Sequence, residues 1–189
     1  MAGALVESPR FIVRKARQND FEEILEIYAH WVKCSACTFD LELSPARKVE
    51  FKESFVTAVS ASTQNVWLVA EAESSTQGST LNQVNRMVVG YAYYSDYRKR
   101  AGYSNTKETS VYVHPHYLKK GLGKLLYEHL IALAKENNVH VLLGVVGGCN
   151  PASNKLHLSL GFTEVGHLRE VGRKFGEWQD SRFFQLVLT

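Results

Sequence analysis

Apolar residues recur along the chain with two different spacings, which divide it into predicted strands and helices. The segment FIVRKA, beginning at Phe11, is typical of a strand. After Asp20 the apolar residues recur every three or four positions, and we expect Asp20 to cap a helix with Glu23 completing a capping box. Ser44 followed by Pro45 predicts the start of a second helix. Its expected buried side consists of Val49, Phe55, Val56 and Val59.

The rest of the chain continues this succession of elements. Strands are predicted at 66–72 and 87–95, and the polar residues 73–86 between them predict a long, mobile hairpin loop. A strand ending before Pro115, a leucine-rich helix, an apolar strand at 139–147, a short helix ending at Gly161 and two final strands follow. This order predicts an α/β fold in which helices cover both faces of one mixed sheet. Residues 10–189 form one predicted domain after a flexible N-terminus at 1–9.

Charge and hydropathy exclude several function classes. The 189 residues include 22 basic and 19 acidic side chains, and a net charge of +3 is too small to argue for nucleic-acid binding. No apolar run is long enough to span a membrane, and MAGALVESPR lacks the features of a secretory signal. We therefore expect a cytoplasmic protein with neither a nucleic-acid nor a membrane partner.

Candidate metal and redox residues are few. Three cysteines, an odd number, argue against a disulfide framework. Cys34 and Cys37 form a C-x-x-C pair without a second ligand pair for zinc, so we expect packing thiols. His114 and His116 form an H-x-H pair without an apparent third ligand, which favours a turn and no metal.

The segment HPHYLKKGLG places Gly121 and Gly123 at the start of the leucine-rich helix. A glycine inside a helix costs about 1 kcal/mol relative to alanine, but at a helix start it lets the backbone approach a ligand. The unpaired N–H groups and positive dipole end of a helix start can bind a phosphate-sized anion. Positive charge beside this site comes from Lys119, Lys120 and Lys124.

Two common phosphate-binding motifs do not fit this segment. A Walker loop needs glycine where Leu118 stands and Ser or Thr where Leu125 stands. A dinucleotide fingerprint needs a third glycine where Leu126 stands. The remaining pattern is a strand, SVYV, followed by a G-x-G turn and a helix.

This pattern resembles the pyrophosphate-binding signature of the GNAT superfamily of acetyl-CoA-dependent N-acetyltransferases, although Leu118 stands where the signature has Gln or Arg. More narrowly, IYAHWV, WLVAE, GYAYYSDYRKRAGYSNTKETSVYV, NPASNKLHLSLGF and GRKFGEWQD resemble, in order, segments of the phosphinothricin and methionine sulfoximine acetyltransferase family. The likeness extends from about Phe11 to the C-terminus. It implies the GNAT fold, with a mixed and mostly antiparallel sheet, and it suggests a homodimer.

The resemblance also implies which residues hold acetyl-CoA. Main-chain groups of VYV hold the pantetheine arm, amides at the helix start hold the pyrophosphate, and the 150–157 segment flanks the thiol end. The implied cofactor-binding residues are Val111, Tyr112, Val113, Lys119, Lys120, Gly121, Leu122, Gly123, Lys124, Asn150 and Ser153.

Two catalytic roles follow from the resemblance. Glu108 is the implied base that takes a proton from the amine, and its alternative is a solvated acid at a strand edge. His157 occupies the position of the superfamily's general acid; it either protonates the thiolate, binds substrate, or is a structural histidine.

Four further residues are implied substrate contacts. Arg100 and Tyr103 lie in a basic, aromatic loop, and an arginine fork suits carboxylate or phosphinate oxygens. Phe39 is expected beside the pocket or in the core. Lys174 closes the pocket from a partner subunit or belongs to a hairpin.

Together these features predict an enzyme that transfers acetyl from acetyl-CoA to the α-amine of a small amino acid, directly within a ternary complex and without a metal. Two alternatives remain at this point. One is a relative that acetylates a polyamine, an arylamine or a peptide N-terminus, and the other is a CoA-binding module without turnover.

Overall fold

The computed structural model describes residues 10–60, 65–74 and 85–189, and within them the predicted order of strands and helices is found. The four α-helices are α1 (Phe21–Cys34), α2 (Pro45–Ser60), α3 (Leu122–Glu136) and α4 (Pro151–Ser159). The seven strands are β1 (Phe11–Lys15), β2 (Val66–Ser74), β3 (Asn85–Asp96), β4 (Thr106–Val113), β5 (Val141–Gly147), β6 (Thr163–Lys174) and β7 (Glu177–Val187). Three single 3-10 turns, at 18–20, 101–103 and 115–117, lie between them.

The described strands form one sheet in the order β1-β2-β3-β4-β5-β7-β6. Each neighbouring pair is antiparallel except β4 and β5, which are parallel. This arrangement is the mixed, mostly antiparallel α/β sheet that the sequence predicted.

Helices cover both faces of the sheet, and each face has its own apolar core. On one face α3 packs against the central strands, with Leu122, Leu126, Tyr127 and Leu130 almost fully buried. On the other face α1 and α2 cover a largely aromatic core, whose members include Phe21, Tyr28, Phe51, Phe55, Trp67 and Tyr91. The sheet therefore separates two environments, which are called below the α3 face and the α1–α2 face.

The parallel pair β4 and β5 separates partway along its length. Their register runs from Thr106 opposite Val141 to Thr109 opposite Gly144 and ends there. Beyond that point β4 pairs with β3 and β5 pairs with β7. The two central strands thus part in the middle of the sheet and leave an opening between its faces.

The predicted capping box at the start of α1 is wrong. The Asp20 carboxylate makes no cap bond to α1 and instead accepts from the guanidinium of Arg14 at 2.7 Å and from the backbone N–H of Arg17. Glu23 accepts from the backbone N–H of Val88 at 3.0 Å. A buried ion pair outcompetes the cap because a carboxylate buried without a counter-charge is costly.

The second helix begins as predicted, and Ser44 Oγ accepts from the N–H of Arg47 at 3.2 Å. Its buried side differs from the expectation, because Phe51 and Phe55 are buried while Val49 is 55% exposed. In the predicted 73–86 loop, residues 73, 74, 85 and 86 belong to the paired strands β2 and β3. The remainder of that loop, 75–84, and the predicted flexible N-terminus, 1–9, lie outside the described residues.

Replacement of Phe55 tests this account of the α1–α2 face. Phe55 is fully buried and packs its ring against Phe21 and Trp67, with centroids 5.6 and 5.1 Å away. We expect Phe55→Ala to lower the free energy of unfolding by about 3–5 kcal/mol in urea titrations, because it leaves a cavity. Val49→Ala, on the same helix, is the control and should change stability by less than about 0.5 kcal/mol. Equal losses would place both residues on one buried side.

Candidate active site

The opening between β4 and β5 forms the mouth of a cleft of about 520 Å³. Its walls come from β4, β5, the turn before α3, the start of α4 and the end of α1. Most of the residues predicted to hold acetyl-CoA line it: Val111, Tyr112, Val113, Lys119, Gly121, Leu122, Gly123, Lys124, Asn150 and Ser153.

At one end of the cleft, the start of α3 presents free backbone donors. Gly121 precedes the helix in a left-handed conformation, with φ of 78°, which glycine adopts without steric cost. The first backbone bond of the helix runs from Leu125 N to Gly121 O at 3.0 Å. The N–H groups of Leu122, Gly123 and Lys124 therefore have no partner within the helix and suit an anion.

The three lysines of this turn are placed differently. Lys119 and Lys124 line the cleft, and Lys119 adopts the left-handed region with φ of 59°. Lys120 does not line the cleft, and its ammonium lies 4.8 Å from the ring centroid of Tyr117. Leu118, where the signature has Gln or Arg, is a cleft residue that offers no charge.

Along the cleft wall, β4 has free main-chain groups at alternate residues. His114 N donates to Val89 O at 2.9 Å, so in this antiparallel ladder Tyr112 also bonds toward β3. The main-chain groups of Val111 and Val113 point the other way, toward the cleft. Trp31 Nε1 already donates to Val113 O at 2.9 Å. The geometry thus assigns the predicted backbone role to Val111 and Val113 and not to Tyr112.

At the other side of the cleft, α4 is fixed by its own cap. Asn150 Oδ1 accepts from Ser153 N at 3.0 Å, and Pro151 occupies the first helical position. Asn150 and Ser153 both line the cleft. The cap places α4 so that His157, one turn further, reaches the point where β4 and β5 part.

His157 is buried at that point and belongs to a hydrogen-bonded network. Its Nδ1 lies 2.8 Å from Ser153 O, its Nε2 lies 2.8 Å from the Tyr127 hydroxyl, and that hydroxyl lies 2.9 Å from Thr109 Oγ1. Burial lowers the pKa of His157, so the ring is neutral near neutral pH. Gly144 makes room for it, because a Cβ there would lie 2.2 Å from His157 Nε2.

Glu108 lies on the opposite face of the sheet from His157. Side chains alternate along β4, so Lys107, Thr109 and Val111 point to the α3 face and Glu108, Ser110 and Tyr112 point to the α1–α2 face. Burial raises the pKa of Glu108, which brings the carboxylate closer to the range of a base at neutral pH. Among the described residues no cation forms an ion pair with it.

Other polar side chains gather near Glu108 on the α1–α2 face. The hydroxyl of Tyr93 bonds to Ser110 and feels the charges of Glu108, Arg47 and Asp40. Asp40 accepts from Arg47 Nε and from the Tyr28 hydroxyl, each at 2.7 Å. Desolvation and the nearby carboxylate raise the pKa of Tyr28 to about 12, so the phenol remains protonated.

Phe39 and Lys174, both predicted substrate contacts, lie at the edge of this group. Gly147 and Gly172 leave space for the Phe39 ring, which would lie 3.3 and 2.7 Å from a Cβ at those positions. Lys174 is buried and donates to Thr38 O at 2.8 Å, and desolvation lowers its pKa. Lys174 also feels the charge of Asp40, so it lies on the same side as the polar group around Glu108.

Arg100 and Tyr103 are not brought to the cleft. Both are exposed in the 97–105 loop, outside the cleft lining. The nearest ring contacts of Tyr103 are Tyr97, at 5.7 Å between centroids, and the guanidinium of Arg98. Within one chain, the predicted guanidinium fork for the substrate is therefore not part of this site.

Cysteines and histidines give no metal centre in the part of the chain that the structure describes, where no group of three or more possible ligands occurs. Cys34 is exposed rather than packed, with its Sγ 3.2 Å from His30 Nε2. Cys37 is partly buried and lines the cleft. His114 precedes the 3-10 turn at 115–117 and His116 lies within it, where a turn was expected. No helix in the described ranges has the length and apolarity that a bilayer crossing needs.

Several residues of the site were not found by sequence reasoning. Tyr127 lies within the apolar stripe of α3, and nothing in the sequence distinguishes it from a packing tyrosine. Arg47 and Asp40 pair across a loop, which the sequence pattern does not reveal. Gly144 and Gly147 in β5, with Gly148 directly after it, were the one available signal, because glycines in an apolar strand indicate close approach of other groups.

Known proteins resemble this chain in sequence and in fold. A family model described as "Acetyltransferase (GNAT) domain" matches residues 13–183. The L-amino acid N-acyltransferase MnaT of Escherichia coli (strain K12) is 35% identical over 176 residues, covering 93% of each chain. The L-methionine sulfoximine/L-methionine sulfone acetyltransferase of Salmonella typhimurium is 44% identical over 108 residues, which cover 57% of this chain and 63% of that protein.

A solved structure agrees over nearly the full length. The GNAT superfamily phosphinothricin acetyltransferase from Sinorhizobium meliloti, in complex with acetyl-CoA, superposes with a TM-score of 0.79 at 31% identity. The match covers 94% of this chain and 88% of that one. The chain therefore belongs to the GNAT acetyltransferase family, which confirms the family, the fold class and the acetyltransferase function predicted from its sequence.

Proposed function

We propose that this enzyme transfers acetyl from acetyl-CoA to the α-amine of a small amino acid or analogue, by direct attack in a ternary complex. The observation that carries the proposal is the cleft between the parted strands, with anion-binding amides at one end. The desolvated carboxylate of Glu108 lies outside the cleft lining, next in β4 to the lining residues Thr109 and Ser110 and on the α1–α2 face of the sheet. The relatives named for L-amino acids, methionine sulfoximine and phosphinothricin support the acceptor class.

In this proposal the start of α3 and the edge of β4 hold the acetyl donor. The free N–H groups of residues 122–124 bind the pyrophosphate, with Lys119 and Lys124 nearby. The main-chain groups of Val111 and the N–H of Val113 bind the pantetheine amides, as a further strand would. These contacts direct the thioester toward the point where β4 and β5 part.

Glu108 acts as the base in this proposal. An amino acid's amine is mostly protonated near neutral pH and attacks only after it loses that proton. Glu108 faces the α1–α2 side, from which the acceptor reaches the opening, and its raised pKa favours taking up the proton directly or through one water. The charge that develops on the carbonyl oxygen needs a donor, and the amides of the parted strands are the nearest candidates.

Two opposite charges that form no ion pair favour a zwitterionic acceptor. In the described chain no carboxylate pairs with Lys174 and no cation pairs with Glu108, whereas Arg47 and Asp40 neutralise each other. An amino acid satisfies both groups, with its ammonium toward Glu108 and an anionic group toward Lys174. A polyamine would leave Lys174 facing another cation.

We also propose a cytoplasmic homodimer. The edge strand β6 and its hairpin with β7 expose Val165, Leu168, Val171, Phe175 and Trp178, each about half exposed or more. Contiguous exposed apolar groups on a sheet edge favour association with a second copy. This hairpin carries Lys174, so a dimer through it would also rigidify the acceptor side. The three free cysteines suit a reducing compartment.

Gly123→Val tests where the donor binds. A Cβ at Gly123 would make only ordinary contacts within the chain, 3.4 Å to Leu156 and 3.9 Å to Val113, so the fold should tolerate it. The valine side chain would instead block approach to the helix amides, and we expect at least about a tenfold loss of acetyl-CoA affinity by calorimetry. Gly102→Val, on an open loop, is the control. Wild-type affinity in Gly123→Val would remove the pyrophosphate from this helix start.

Glu108→Gln tests the base. The wild-type kcat/KM should fall as pH decreases through the raised pKa of Glu108, because protonation removes the base form. We expect Glu108→Gln to lower kcat by about 10²–10⁴-fold and to abolish the fall of kcat/KM at acidic pH, which is the acidic limb of the pH profile. Its acetyl-CoA affinity should be unchanged. Thiol release followed from pH 5 to 9 measures both effects. An unchanged acidic limb in the variant would assign it to another group.

Lys174→Met tests the acceptor's charge. A charge-assisted hydrogen bond contributes about 1.5–3 kcal/mol, so KM for L-methionine sulfone should rise by about 10–100-fold, while KM for its amide rises much less. Lys99→Met, on the exposed 97–105 loop, is the control. An equal rise for the acid and the amide would mean that Lys174 only supports the loop at Thr38.

A further inference from the structure

The hydrogen-bond network around His157 shows which of its groups donate and which accept. It runs from Ser153 O through His157, Tyr127 and Thr109 to Leu143 O, with Thr109 Oγ1 3.0 Å from that last oxygen. Both ends are carbonyl oxygens, which only accept hydrogen bonds. The directions of the bonds between them can therefore be assigned.

Ser153 O fixes the tautomer of His157. A carbonyl 2.8 Å away requires the proton on Nδ1, so Nε2 of the neutral ring carries a lone pair and accepts from the Tyr127 hydroxyl. A Cβ on residue 144 would overlap Nε2, which shows that the ring is held against the parting of the strands. In this state His157 has no proton to give toward the cleft.

The hydrogens available to the network are then few. His157, Tyr127 and Thr109 supply three hydrogens for four contacts, and the single hydrogen of Thr109 serves both Leu143 O and the Tyr127 oxygen. The hydroxyls of Tyr127 and Thr109 are thus the donors that this network offers to a group at the apex of the cleft. Both residues line the cleft there.

We propose that Tyr127 contacts the reacting thioester sulfur, and that His157 is a positioning residue that acts through Tyr127. This proposal rests on the proposed acetyl transfer. As the C–S bond breaks, its electron pair stays on sulfur and the amine's proton goes to Glu108. The Tyr127 O–H turns from a neutral imidazole to the anionic sulfur, which is the stronger acceptor.

Tyr127 stabilises the leaving thiolate by this hydrogen bond and keeps its proton. Burial raises the pKa of Tyr127 above that of an ordinary phenol, so full transfer to a thiolate is unfavourable. The thiolate leaves as an anion and is protonated afterwards from solvent. His157 contributes by holding the phenol at the apex before the bond breaks.

Single-turnover thiol release, with enzyme in excess over acetyl-CoA, tests the Tyr127 contact. Tyr127→Phe should slow this step by about 10²-fold, the usual effect of removing one such donor, with acetyl-CoA affinity within about threefold of wild type. Tyr94→Phe is the matched control, because Tyr94 is equally buried in the same core and its hydroxyl accepts from Asn137 away from the cleft. A wild-type rate in Tyr127→Phe overturns the proposal.

Two substitutions of His157 separate positioning from acid catalysis. His157→Gln retains an oxygen near the place of Nε2 that accepts from Tyr127, whereas His157→Leu does not. We expect the rate of thiol release in the Gln variant to stay within about tenfold of wild type, and the rate in the Leu variant to match that of Tyr127→Phe. The double variant, His157→Leu with Tyr127→Phe, should show no further loss. Equally slow Gln and Leu variants, or a double variant slowed by the product of the two losses, overturn the positioning role. Each result requires an active wild type, so it differs from failure of the proposed function.

Discussion

The end of the β4–β5 ladder after Thr109 and Gly144 is the constraint on which the rest of the site depends. Two parallel central strands that stayed paired would leave no opening, and their main-chain groups would satisfy each other. Because they part, the main-chain groups of Val111 and the N–H of Val113 are left without a strand partner on that side, and unpaired groups in a covered sheet are costly unless a ligand satisfies them. The outer neighbours β3 and β7 hold the two halves apart.

The two faces of the sheet that meet at this opening carry different kinds of polar groups. The α3 face holds the network of neutral hydroxyls and imidazole beside the cleft, and the α1–α2 face holds the charged groups Glu108, Lys174, Asp40 and Arg47. A donor with an uncharged thioester suits the first face, and a charged amino acid suits the second. The cleft at the parting of the strands is lined by residues of both faces, and it is there that the proposed transfer from thioester to amine takes place.

The order of strands and helices, the G-x-G turn and the glycine at the end of α4, Gly161, followed from sequence because each depends on local spacing. The capping box at the start of α1 did not, since the Asp20 carboxylate pairs with Arg14, which lies in another element and pairs with Glu71 as well. Tyr127 and the Arg47–Asp40 pair were missed for the same reason, as their roles arise from contacts between elements. Arg100 was expected at the substrate by resemblance, and within one chain it is exposed on the 97–105 loop, outside the cleft lining.

The most direct test of this account is a crystal structure of the enzyme with acetyl-CoA. The account predicts pyrophosphate density within hydrogen-bond distance of the backbone N–H groups of residues 122–124, and the thioester at the apex beside Thr109 and Tyr127. Density for the donor on another surface, or a pyrophosphate held only by side chains while these amides bind solvent, would contradict it.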